Sequence, residues 1–343
     1  MAANRRMNAT WIALLALLVA ATSVAAQTAP SDPNLTYAVV GGRALRLDVY
    51  RPAPGSVTPT PLVVFVHGGA WSSGSRAPLP SWLAPLLDAG VAVASVDYRL
   101  TSEVGLYGAE PVTFPAQIHD VKAAIRWLRA HAADYDFDST RIALWGSSAG
   151  AHLAAIAGLA ADEPALEGSV GGNLGHSSEV AAVVDYAAPT DLVNFVPDTT
   201  IPPFTLQNHD DADQPTSATA VLIGFDDPDQ GIGVLRANAT NPAPPFPLYV
   251  ALARTANPVT WVSPDDPPFF IAHGTADNLV PLAQSRRLRD ALLSAGAAPV
   301  YRELANLGHA GFAFDPGTHA AAREFLIGHL TAPPDPVFAD SFE

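Results

Sequence analysis

Six short apolar or near-apolar runs, at residues 62–66, 91–96, 141–145, 180–185, 268–272 and 299–304, recur along the chain with helix-compatible stretches between them. Strands covered on both faces read as continuous apolar runs, and parallel neighbours need a crossover of a dozen or more residues, usually a helix. The pattern therefore commits the chain to an α/β fold, a mostly parallel sheet of about eight strands with helices on both faces. One further segment, Ala44-Leu45-Arg46-Leu47-Asp48-Val49-Tyr50, alternates apolar and polar residues after a short Pro-containing leader. That period of two predicts a half-buried strand in an edge hairpin.

The clearest helix follows Pro115, where Ile118, Val121, Ile125 and Leu128 repeat at spacings of three and four. On this pattern Lys122, Arg126 and Arg129 take the opposite, polar face. Two more helices fit residues 282–295 and 318–330. Between residues 190 and 267 the periodicity fades, prolines crowd and aspartates nearly replace basic residues. A stretch of this length without regular structure reads as an insertion or lid, and because strands resume after it, it should sit on the sheet. The expected organisation is one catalytic domain over residues 27–331 and a flexible C-terminal tail at 332–343. Residues 1–26 read as a signal peptide: a basic start at Arg5 and Arg6, an apolar run from Trp11 to Ala21, and the small-residue site Val24-Ala25-Ala26. The run is too short to span a bilayer. A secreted or periplasmic protein with no stable membrane span follows.

Of 343 residues, 49% are hydrophobic and 15% charged, which describes a packed globule and not a disordered chain. The net charge of −15 argues against a nucleic-acid partner and against anionic substrates. Cysteine is absent, so export to an oxidising compartment adds no disulfide. The single lysine is Lys122, and both methionines, Met1 and Met7, fall inside the signal.

The chemistry centres on Gly146-Ser147-Ser148-Ala149-Gly150, a G-x-S-x-G motif. Alone it is a common string. Here a strand-like Ile142-Ala143-Leu144-Trp145 precedes it and an Ala-rich helix follows, which is the strand–turn–helix setting of a nucleophile elbow. A serine hydroxyl needs a base to remove its proton, and in this topology the acid and then the histidine follow the serine, each after a strand. Asp277, in the loop after Phe269-Phe270-Ile271-Ala272, is the candidate acid; His309, in Leu307-Gly308-His309-Ala310-Gly311, is the candidate base. His319 and His329 lie on the last helix, where an exposed or capping role is expected, and His273 should pack. A developing oxyanion needs donors, and His67-Gly68-Gly69-Ala70-Trp71 directly follows a strand. The N–H groups of Gly69, Ala70 and Ala149 are the expected oxyanion hole. Trp71, Tyr98, Tyr107 and Trp261 supply candidate aromatic substrate contacts on the rim.

In these segments the chain resembles an α/β-hydrolase, close to the hormone-sensitive-lipase-like carboxylesterases and particularly to their bacterial feruloyl and acetyl-xylan esterase-like branch. Further matching segments are Asp97-Tyr98-Arg99-Leu100, Phe114-Pro115-Ala116-Gln117 with Asp120, Arg126-Trp127-Leu128, Gly146 to His152, Pro189-Thr190-Asp191-Leu192, Ser263 to Pro268 and His273 to Asp277. The resemblance runs from about Tyr37 to Leu330. It implies a serine carboxylesterase without cofactor or metal, with the same triad, acting on acetyl or feruloyl esters, small or polysaccharide-linked. The chain departs from the pattern at Ala70, where a third glycine is common, at Ala151, and in the long insertion. An amidase, either a formamidase or a peptidase, uses the same residues, and an inactive exported binding protein is a reading of a different class.

Overall fold

The structure, a computed structural model, describes residues 28–161, 163–195, 217–225, 231–309 and 315–331. The expected signal peptide and C-terminal tail lie outside the described residues. Eight strands form one sheet: β1 Asp32–Val40, β2 Arg43–Tyr50, β3 Thr60–Val66, β4 Ala92–Val96, β5 Phe137–Ser147, β6 Val183–Tyr186, β7 Phe269–Gly274 and β8 Val300–Leu304. Their order is β1-β2-β4-β3-β5-β6-β7-β8. β2 pairs antiparallel with both β1 and β4, and every pairing from β4 to β8 is parallel.

The apolar runs that form β3 to β7 are buried on both faces because alternate residues serve different layers, whereas the run at 299–304 forms β8, an edge strand carrying Arg302 and Glu303 with no buried residue. Leu62, Val64 and Val66 of β3, with Leu144 of β5, enter one core, whereas Val63, Phe65, Ala143 and Trp145 enter the other. The first core packs under α2 (Ala116–Ala130), α3 (Ala149–Leu159) and α8 (Leu282–Ser294), and the second under α1 (Ala84–Asp88) and α9 (Pro316–Thr331). α3 is apolar on all sides apart from His152 and is buried along its whole length, and its alanines let it lie close to the sheet. β1 begins earlier than the alternating segment suggested: only Tyr37 and Ala38 of its nine residues are buried, so the leader carries too little apolar pattern to show a strand.

Two expectations change. The basic face of α2 is buried, not solvated: Lys122, Arg126 and Arg129 are 0, 1 and 5% exposed. α4 (Pro164–Glu167) and the chain after it cover that face. Glu167 pairs with both Lys122 (3.1 Å) and Arg126, while Arg129 donates to the carbonyls of Ser139 and Glu179 at 2.9 and 2.7 Å. The insertion between β6 and β7 also contains regular structure, namely α5 (Ala218–Ile223), α6 (Ile232–Ala237) and α7 (Phe246–Thr255). Phe225, Ile232, Leu235 and Val250 give it a small core of its own. The prolines hid these helices by interrupting the period needed to recognise them.

Candidate active site

β5 ends at Ser147, and Ser148 turns the chain into α3 at φ 56° and ψ −123°, a strained conformation for a residue with a side chain. Two contacts hold the turn: the Ser148 N–H donates to Tyr186 O at 2.7 Å, and the His152 N–H donates to Ser148 O at 3.0 Å. α3 can then lie close against the end of β3 because Gly150 has no side chain. A Cβ there would stand 2.1 Å from Val66 O.

Asp277 lies just past β7 and His309 just past β8. The two loops are laced together by Thr275 N–H to Leu304 O, Ala276 N–H to Leu307 O and Asn306 N–H to Thr275 Oγ1, each at 2.9 Å. The lacing brings the three candidates together. His309 Nδ1 is 2.7 Å from Asp277 Oδ2, and His309 Nε2 is 2.9 Å from Ser148 Oγ. A carboxylate only accepts, so Nδ1 carries the proton and Nε2 is left to accept from the serine hydroxyl. Asp277 Oδ1 receives the N–H groups of Leu279 and Val280, both at 2.9 Å. Burial alone would raise the Asp277 pKa, but hydrogen bonds from His273 and His309 outweigh it and hold the carboxyl well below its usual range.

The loop after β3 lies against the serine. A Cβ on Gly68 would come within 3.3 Å of the Ser148 Cβ. Gly69, Ala70 and Trp71 follow with φ of 119°, 51° and 57°, three successive left-handed residues that keep their N–H groups out of any ladder. Gly69 O closes the turn by accepting from Ser72 and Ser73 N–H, both at 3.0 Å. Ala149 opens α3 directly after the serine, at the positive end of that helix.

Two of the aromatic candidates turn inward. Trp71 and Tyr98 are each only 2% exposed and brace the loop from beneath instead of forming its rim. Tyr98 donates its hydroxyl to His67 O at 3.0 Å and stacks on the His67 ring at 4.3 Å. Burial lowers the His67 pKa, so the stack is between neutral rings at neutral pH. Tyr107 is half-buried at the β1–β2 edge, with Arg43 and Arg99 over its ring. Trp261 is half-buried beside α7 and spends its N–H on Thr255 O. His319 is buried, stacked on Trp82 and within 3.2 Å of the Tyr186 hydroxyl, and so is neither exposed nor a cap.

Two further polar residues line the site: His152, for which the sequence suggests no role of its own, and His273, which packs as expected. Both are 0% exposed. Their only sequence signal is their position, four residues after Ser148 and four before Asp277. Among the described residues no group of three or more His, Asp or Glu side chains is placed to hold a metal ion, and no helix is long and apolar enough to cross a membrane.

The sequence profile of the BD-FAE family matches residues 47–241 and 244–292. Esterase LipQ of Mycobacterium tuberculosis is 35% identical over 276 residues, which cover 79% of this chain and 55% of the relative. Esterase LipC of the same organism is 31% identical over 284 residues, 80% of this chain and 60% of the relative. The chain thus spans between half and two thirds of the length of these curated relatives. Among solved structures, a truncated carbohydrate esterase from gut microbiota aligns with a TM-score of 0.70 at 30% identity, covering 89% of this chain and 98% of that one. Propionate-bound esterase Est2 from the Planctomycetes species Thermogutta terrifontis has a TM-score of 0.64 at 24% identity, over 89% of this chain and 97% of that one, a likeness of fold.

Proposed function

The chain belongs to the BD-FAE family of α/β-hydrolase esterases, and from that membership we propose that it is an exported serine carboxylesterase acting on short acyl or aryl esters, of acetyl or feruloyl type, small or polysaccharide-linked. The observation that carries the reading is the unbroken contact from Ser148 Oγ through His309 to Asp277, at 2.9 and 2.7 Å. The names of the relatives support ester hydrolysis, and the solved carbohydrate esterase supports a sugar-borne ester.

In the proposed reaction Ser148 Oγ attacks the ester carbonyl carbon while His309 Nε2 takes the hydroxyl proton. Negative charge develops on the former carbonyl oxygen and is met by the N–H groups of Gly69, Ala70 and Ala149, each such donor contributing about 3 kcal/mol to the barrier reduction. Collapse expels the alcohol, which takes the proton from His309. The acyl group stays on Ser148. Water then attacks the acyl carbon, His309 accepts its proton and returns it to Ser148 Oγ, and the carboxylic acid departs. Asp277 stays ionised throughout and stabilises the imidazolium.

One panel tests the reading. The protein is assayed on p-nitrophenyl acetate, butyrate and palmitate, methyl ferulate, acetylated xylan and an aryl formamide, with a fluorophosphonate probe reporting Ser148. Acetate and ferulate should lead, Ser148→Ala should lose the label, and Asp277→Asn should lower kcat by about 10⁴-fold. Highest kcat/KM on palmitate, or cleavage of the formamide alone, rejects the substrate class. Retained activity in Ser148→Ala rejects the mechanism. Export is tested by secretion of the full chain and sequencing of its mature amino terminus, expected near Gln27.

A further inference from the structure

His152 sits one turn after Ser148 on α3, fully buried, and its two ring nitrogens face partners of opposite kind. Trp71 Nε1 lies 3.2 Å from Nδ1, and Ala256 O lies 2.7 Å from Nε2. An indole N–H can only donate and a carbonyl can only accept, so a single arrangement satisfies both: neutral imidazole with its proton on Nε2. Burial pushes the His152 pKa down to about 4, partly offset by the Ala256 carbonyl, and this favours the same neutral form. The ring also meets the Trp71 indole edge-on, with centroids 5.1 Å apart.

The partners belong to different parts of the fold. Trp71 ends the left-handed run Gly69-Ala70-Trp71, so fixing its indole fixes the backbone that carries the proposed oxyanion donors. Ala256 caps α7 within the insertion. The next residue, Asn257, accepts from Leu192 N–H at 2.7 Å and donates to Asp191 Oδ1 at 3.1 Å. Gln284 of α8 in turn receives the N–H groups of Thr190 and Asp191, at 2.8 and 2.7 Å. A chain of bonds runs from the loop after β3, through the nucleophile helix, to the insertion.

The geometry points to His152 as a positioning residue that fixes the oxyanion loop, through Trp71, to the insertion, so that the insertion sets how well the loop stabilises the transition state. This rests on the esterase reading above and adds to it a function for the insertion. Because the oxyanion contact forms only in the transition state, loosening the loop lowers kcat and leaves KM nearly unchanged.

The test uses His152→Leu, which removes both bonds, Trp71→Phe, which removes the donor alone, their double variant, and His152→Gln, whose amide can accept from Trp71 and donate to Ala256. On p-nitrophenyl acetate, with active sites counted by fluorophosphonate, His152→Leu and Trp71→Phe should each lose about ten- to a hundredfold in kcat with KM little changed. The double variant should be no worse than the poorer single one, and His152→Gln should recover most of the loss. Unchanged kcat in Trp71→Phe, additive losses in the double variant, or a rise in KM in place of the fall in kcat each overturn the coupling. If His152→Leu does not fold, Trp71→Phe and His152→Gln decide between the same outcomes. Wild-type protein that neither hydrolyses any ester nor takes the probe would instead reject the esterase reading.

Discussion

His273 Nε2 stands 3.0 Å from Asp277 Oδ2, the oxygen that also receives His309. The same nitrogen is 2.9 Å from Val280 O, so it is flanked by acceptors and must carry the proton, while Nδ1 lies 2.7 Å from Ser285 Oγ. The acid of the candidate triad is therefore aimed by a second, buried imidazole on its own strand.

This contact makes a prediction with a defined sign. A carboxyl held below its ordinary pKa stabilises the fold at all pH values above the unfolded value, about 3.9, and loses that contribution as pH falls further. Replacing His273 by Phe removes one donor and lets the Asp277 pKa rise. Urea unfolding at pH 7 should show His273→Phe less stable than wild type, with the gap narrowing below about pH 4. A gap of constant size would mean that His273 contributes packing alone.

Gly274 ends β7, and a Cβ there would stand 2.2 Å from Leu307 O, in the loop that delivers His309. Gly274→Ala should displace His309 from Ser148 and lower kcat by about a hundredfold, the scale set by a misplacement of about 1 Å. Fluorophosphonate labelling should slow in parallel. Normal labelling with impaired turnover would place the defect elsewhere.

Asp185 on β6 is fully buried, and burial raises its pKa to about 6, against the opposing effects of Ala188 N–H and nearby His273. Below about pH 4 both folded and unfolded chains hold this proton, and the group has no effect on stability. As pH rises from about 4 to 6 the unfolded chain ionises first, so stability falls, by on the order of 3 kcal/mol in all. Asp185→Asn keeps an oxygen for the Ala188 N–H, which lies 2.9 Å away. Thermal melts should show it more stable than wild type at pH 8 and matched at pH 4. A larger advantage at pH 4 would reverse the assignment.

Lys122 carries the chain's one lysine amine, and it is 0% exposed against Glu167. An amine-reactive ester should modify the folded protein at the amino terminus alone and reach Lys122 only in denaturant, as peptide mass mapping can read. Lys122→Ala should cost about 3 kcal/mol, combining lost packing with lost charged hydrogen bonds. Rapid labelling of Lys122 in the native state would contradict its burial.

The sheet and the three-residue cluster were legible because both depend on local pattern. Residues 62–66 and 142–145 are apolar throughout; Ser148 and Asp277 each follow such a run, and His309 follows the near-apolar stretch 299–304. What stayed hidden depends on distant chain. Arg126 looks solvated until Glu167 and the carbonyls of Val170 and Gly172 are folded over it. Tyr98 looks like a rim residue until its hydroxyl meets His67 O, and His152 shows no partner in sequence because Trp71 is 81 residues away and Ala256 is 104.

The order of strands gives the site a history as well as a shape. The candidate nucleophile follows β5 near the middle of the sheet, whereas the candidate base follows β8, the last of the described strands and an outer edge. During synthesis the serine, its elbow and the loop after β3 emerge long before residue 309 exists. On the proposed mechanism a growing chain holds a hydroxyl with no base beside it, and hydrolysis should switch on only once β8 has paired with β7. Onset of activity in a timed translation or refolding reaction is thus a clock for completion of that edge.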